Sequence, residues 1–178
     1  MIGGAIARTG SSLGLALAVS AAMLGCSGVG SGVPAPLQDP ANATYSIERA
    51  TVTLVNGRAE QDVAPGSASK NVATLTDQRV TGDVDGDGKP DTVVIVTYQS
   101  GGSGTFHYVA ALLSTASSGA AGPSALLGDR IKVNAIRLDG RAIVVELLER
   151  STGQPFTSSP TVPTVKRFEV VQGLLVVR

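Results

Sequence analysis

The chain has no tryptophan, and only three phenylalanines, three tyrosines, one histidine and one cysteine among its 178 residues. Each shortage excludes something. With so few aromatics the core must be built from Val, Leu, Ile and Ala, and stacking platforms for carbohydrate are not expected. With Cys26 alone there is no intramolecular disulfide. One histidine and one cysteine cannot make a zinc site, which needs several nitrogen or sulfur ligands. Charge of one sign is missing too: 14 basic residues face 14 acidic ones. A balanced chain lacks the basic stripe that neutralises phosphates, so nucleic acid is not an expected partner.

What is present begins at the amino terminus. Met1 to Arg8 carries one positive side chain, and Leu13 to Leu24 is apolar except for Ser20. A positive start, a short apolar core and small residues before a cut form a secretory signal. The run is well short of the roughly 20 residues that cross a bilayer. It ends on Leu24-Gly25-Cys26, which resembles the bacterial lipobox, although Met23 stands where that motif usually has leucine. The resemblance implies cleavage after residue 25, acylation of Cys26 and a membrane anchor held by more than one chain. Acylation also accounts for a lone cysteine on an exported protein. Ser27 follows it, which by the same resemblance implies the outer membrane in a Gram-negative cell and otherwise the outer face of the plasma membrane. The expected location is thus the bacterial cell envelope.

Removing residues 1–25 from the 178 leaves 153, enough for one domain. Residues 26–43 then read as the lipidated cysteine and a flexible tether, because Ser27 to Asn42 is rich in Gly, Ser and Pro. Residues 44–178 read as a β domain. Alternation of period two recurs there, with Asn56-Gly57, Asp139-Gly140 and Gln172-Gly173 between apolar runs as hairpin signals. Thr92–Tyr98 and Phe106–Leu113 flank a glycine-rich tip, and the β-branched Thr92-Val-Val-Ile-Val-Thr97 suits a buried central strand. The expected fold is mainly β: a single antiparallel sandwich or barrel-like domain of hairpins with eight or nine strands. The alternative is α+β with one or two short helices, drawn from Ala110–Ala116, Ala120–Leu127 and Ala142–Arg150.

The chemistry is concentrated in Thr81 to Asp91, T-G-D-V-D-G-D-G-K-P-D. Four carboxylates, Asp83, Asp85, Asp87 and Asp91, alternate with glycines around a single lysine. Such a loop repels itself unless a hard divalent cation sits among the oxygens, and calcium is the expected one. Asp83, Asp85 and Asp87 would supply side-chain oxygens, Lys89 its backbone carbonyl and Asp91 a further carboxylate. Gly88 falls at the sixth position, where a sharp turn is needed. The twelfth position is Val94 instead of the bidentate Glu of an EF-hand, so this is not an EF-hand. Gly82 to Asp91 followed by apolar Val93–Val96 instead resembles the calcium loops of FG-GAP and VCBS-type repeats. Those repeats build propellers, but here the motif occurs once, so the resemblance implies the loop alone. A wider pattern resembles small exported bacterial proteins to which no activity is assigned. It comprises Val52–Gly57, the acidic loop, Gly101–Phe106 with Tyr108, and Leu126–Ile131.

No catalytic residue is expected. His107 has no G-x-S-x-G elbow to serve, and Ser67-Ala-Ser-Lys70 lacks the partner motifs of S-x-x-K enzymes. Glu146 and Glu149 face opposite sides of a regular strand. The expected function is a lipid-anchored protein whose calcium-stabilised domain binds or scaffolds an envelope protein without turning anything over. The alternative is an envelope hydrolase that uses the bound cation or Ser/His/Asp chemistry.

Overall fold

The computed structural model describes residues 37–114 and 119–178. Cys26, the signal at 1–25 and most of the expected tether lie outside the described residues. Those described hold eleven strands, one turn of 3-10 helix and no α-helix. The fold is therefore mainly β, and all strand pairing within its three sheets is antiparallel.

β1 (Thr44–Ile47) and β2 (Ala50–Thr53) form a two-stranded sheet. β3 (Arg58–Asp62), β4 (Lys70–Gly82), β5 (Asp91–Ser100), β6 (Phe106–Leu112) and β7 (Ser124–Asp129) form a five-stranded sheet in chain order. β8 (Lys132–Asp139), β9 (Ala142–Glu149), β10 (Val162–Val171) and β11 (Leu174–Val177) form a four-stranded sheet, again in chain order. No sheet closes on itself among the described residues, so the barrel-like form is not adopted.

The five-stranded sheet is the middle layer. One of its faces presents Val94, Val96, Tyr108, Ala110 and Leu112 to the β1–β2 ribbon, where Tyr45, Ile47, Val52 and Leu54 complete a core. The other face presents Val93, Ile95, Val109, Ala111 and Leu127 to Ile143, Val145, Leu147 and Phe168 of the four-stranded sheet. β5 is consequently apolar on both sides, and Val93 to Val96 are all buried. That burial explains a continuous β-branched run in an antiparallel sheet, where alternation is the usual pattern.

Several expectations are corrected. Ala110–Leu112, Ser124–Leu127 and Ala142–Glu149 lie in β6, β7 and β9, so the helical alternatives fail. Ala and Leu carry helix propensity, but burial against two sheets decides the outcome. The Asn56-Gly57 turn forms, with both residues at positive φ and a bridge from Val55 to Arg58. Its flanks nevertheless enter different sheets, because Val52 and Leu54 are buried in the first core while Arg58–Asp62 is an exposed edge. The β8–β9 and β10–β11 hairpins form as expected. The eleven strands exceed the expected eight or nine. β1 and β7 are short, and polar Thr76, Asp77 and Gln78 interrupt the alternation of β4 at a register shift between Leu75 and Arg79.

The chain is packed on the domain upstream of Thr44. Asp39 caps the Pro40–Asn42 turn by accepting from the Ala41 N–H (3.0 Å). The buried Tyr45 donates its hydroxyl to the Pro40 carbonyl (2.7 Å).

Candidate metal centre

The acidic loop joins β4 to β5, and one valine sets its geometry. Val84 is buried in the core between the two larger sheets. Asp83 and Asp85, on either side of it in the loop, are only partly buried. Asp91, the first residue of β5, is itself fully buried. One oxygen each from Asp83, Asp85 and Asp91 lies within 4.8 Å of the others.

Backbone donors hold these carboxylates in place. Asp83 accepts from Gly86 (2.6 Å) and Gly88 (3.0 Å), and Asp85 from Asp87 (3.1 Å). Asp91 accepts through Oδ2 from Val84 (3.0 Å) and through Oδ1 from Ser114 (2.8 Å). It therefore ties the loop to the end of β6 as well as to its own strand. Gly86 and Gly88 stand at φ of +89° and +82°, a conformation that costs L-residues steric strain.

Two expected ligands are placed differently from these three. Asp87 is exposed and its Oδ1 accepts from the Lys89 N–H (2.7 Å), so it stands outside the converging group. Lys89 is exposed. Sequence reasoning missed Arg141, which arrives from the β8–β9 turn and donates Nη1 to the Asp85 carbonyl (3.4 Å). A Cβ on Gly86 would meet that same nitrogen at 2.0 Å. Nothing in the local pattern links positions 56 residues apart; only the packing of the two sheets brings them together. The Gly86 N–H, with those of Gly88 and Asp87 and the Arg141 charge, holds Asp83 below the usual carboxylate range, against the opposing effect of burial.

A set of three carboxylate oxygens, with no nitrogen or sulfur, suits a hard cation such as calcium, magnesium or manganese. Of the three, Asp91 sits at a strand end and is braced by a buried hydrogen bond from Val84, while Asp83 and Asp85 are held by exposed backbone donors of the loop.

The catalytic alternatives do not converge in the same way. His107 lines a cavity of about 450 Å³ with Thr76, Asp77, Gln78 and Lys132, and none of its lining residues is a serine. Burial lowers the His107 pKa, with the Thr105 backbone and the Asp129 charge opposing. Asp129 lines a different cavity beside Arg150 and Phe156, and its Oδ1 accepts from the Thr105 N–H (2.8 Å). Glu149 pairs with Lys166 (2.8 Å), and Glu146 with Arg137 (3.3 Å).

The chain matches no protein-family model, no curated protein and no solved structure.

Proposed function

We propose that the Asp83–Asp91 loop binds one calcium ion, and that this ion stabilises a β domain with a non-enzymatic binding role in the bacterial cell envelope, anchored through an acylated Cys26. The observation that carries the metal reading is the approach of Asp83, Asp85 and Asp91 oxygens to within 4.8 Å. Three carboxylates so close repel one another in the absence of a cation, and a divalent ion turns that repulsion into attraction. In this reading the Asp87 carboxylate turns in from its place outside the three and, with the Lys89 carbonyl, completes the oxygen set. The chemistry the ion supplies is charge neutralisation and cross-linking: it joins the end of β4 to the start of β5. Through the Asp91–Ser114 hydrogen bond the same clamp reaches the end of β6. Envelope location rests on the amino-terminal signal and on Leu24-Gly25-Cys26.

Calcium titrated into metal-free chain by calorimetry should give one event per chain, lost in Asp85→Ala. Growth with an alkyne-bearing fatty acid should label the chain and leave Cys26→Ala unlabelled. A chain that takes up no calcium at millimolar concentration removes the metal reading, and an unlabelled chain removes the anchor.

A further inference from the structure

A groove lies away from the acidic loop, between edge strands of different sheets. β7 closes the five-stranded sheet and β11 the four-stranded one, and neither has a second neighbour in its sheet. They line a cavity of about 690 Å³ together with Ser46 and Glu48 from the β1–β2 ribbon and Tyr108 from β6. That volume falls within the roughly 300–1,000 Å³ of built ligand sites. Its apolar walls are unusually exposed: Leu126 at 51%, Leu174 at 64% and Val176 at 38%.

The β7 edge carries an unpaired backbone stretch. The Ala111 N–H donates to the Pro123 carbonyl (3.0 Å). By the alternation of an antiparallel ladder, the N–H and C=O groups of Ser124 and Leu126 then point away from β6. They pair with no strand among the described residues. The stretch has definite ends. β1 runs along the edge up to it, since Gly122 exchanges hydrogen bonds with Thr44 (2.8 Å) and Ser46 (2.9 Å) and the Ser124 hydroxyl donates to the Ser46 carbonyl, which leaves Leu126 as the open position. Lys166 caps the Leu127 carbonyl after it (2.6 Å).

Charge selects the occupant. Among the described residues Glu48 is the one charged residue lining the groove. Its Oε1 accepts from the Tyr108 hydroxyl (3.0 Å), and no ion pair engages it among the described residues. A second copy of this chain is a poor fit, because two-fold pairing of β7 edges would bring two Glu48 carboxylates into one interface.

We propose that this groove takes a short extended peptide segment of a partner protein, which adds to the β7 edge, seats alternate apolar side chains against Leu126, Leu174 and Val176, and places a Lys or Arg against Glu48. Backbone hydrogen bonds supply affinity in such strand addition, while the pockets and the acid supply selectivity. This names the partner chemistry for the binding role proposed above and rests on that reading for its setting. The binding itself requires neither calcium nor the anchor.

The test uses purified full chain in detergent, with and without EGTA, and fluorescein-labelled five-residue peptides of alternating Val and Thr. One Lys is placed at each position in turn, and binding is read by anisotropy. At least one lysine peptide should bind saturably. Replacing its Lys by Glu, or Glu48 by Gln in the chain, should weaken binding by about fivefold or more. N-methylation of alternate peptide amides should abolish it, as should Leu126→Arg. If Leu126→Arg disturbs the melting curve, Leu174→Arg on the opposite wall makes the same test. The proposal is overturned if no peptide binds, or if binding ignores both Glu48→Gln and N-methylation. It is equally overturned if sedimentation shows a dimer that either arginine variant dissociates, which would give the groove to a second copy. Binding that persists in EGTA with a chain that takes up no calcium would separate this proposal from the metal reading.

Discussion

Asp91 differs from Asp85 in what its carboxylate does without a cation, and that difference makes a quantitative prediction. The Asp91 side chain is fully buried, and its two oxygens separately accept the Val84 and Ser114 N–H groups. In Asp91→Asn the amide keeps one acceptor and turns an NH₂ toward the other N–H. One buried donor is orphaned, which costs about 1–3 kcal/mol, partly offset by relief of repulsion from Asp83 and Asp85. Asp85 is only partly buried, and its Oδ1 accepts from the Asp87 N–H. Asparagine retains that oxygen and the site is part-exposed, so Asp85→Asn should cost less metal-free stability than Asp91→Asn. In EGTA, then, Asp91→Asn should melt about 3–10 °C below the wild type and Asp85→Asn closer to it.

Calcium should separate both variants from the wild type. At 100 times its dissociation constant a native-state ligand adds about 2.7 kcal/mol, several degrees for a domain of this size. Both substitutions remove one charged ligand from the proposed site, so both should lose most of that increment. Melting by circular dichroism across a calcium titration reads all of this in one series. Equal melting of the two variants in EGTA would refute the structural role given to Asp91. A calcium shift that survives in both would refute the placement of the metal.

Two further outcomes follow from other parts of the structure. Tyr45→Phe removes the hydroxyl that donates to the Pro40 carbonyl from a fully buried ring, and should cost about 1–2 kcal/mol by urea unfolding at unchanged slope; a loss within error would show that water satisfies the carbonyl equally well. Asp83, held below its ordinary range chiefly by the Gly86 N–H, contributes stability that is present above its unfolded pKa and lost as pH falls through the lower folded value. In EGTA the wild type should therefore lose more stability than Asp83→Asn as pH falls below about 4, and parallel acid limbs would show that Asp83 gains nothing from its donors.

The acidic loop was legible in the sequence because its constraint is local. Asp83 and Asp85 flank buried Val84, their carboxylates accept from backbone N–H groups two to five residues on, and the glycines at 86 and 88 permit the turn, all within a few residues. Asp87 lies outside the three converging carboxylates for an equally local reason: its Oδ1 accepts the Lys89 N–H two residues on, an Asx-type bond. The hairpins β8–β9 and β10–β11 were legible on the same terms. What sequence could not assign was which sheet each strand joins.

Asn56-Gly57 shows why. The dipeptide specifies the turn, and the turn forms, but it does not specify that both flanks share a ladder. That choice belongs to burial: Val52 and Leu54 fill the core beneath the middle sheet, and Arg58, Glu60 and Asp62 belong on an edge. Once the first flank becomes part of a separate ribbon, the middle sheet is covered on both faces. β5 must then be apolar throughout, from Val93 to Val96. The same layering brings the β8–β9 turn over the acidic loop, so Arg141 comes to face Asp85. It also leaves β7 and β11 as the two uncovered edges beside the ribbon. Both the Arg141 contact at the loop and the groove beside β7 and β11 are thus consequences of one partition. A sequence that fixes each turn locally leaves that partition to the distribution of apolar side chains between two cores.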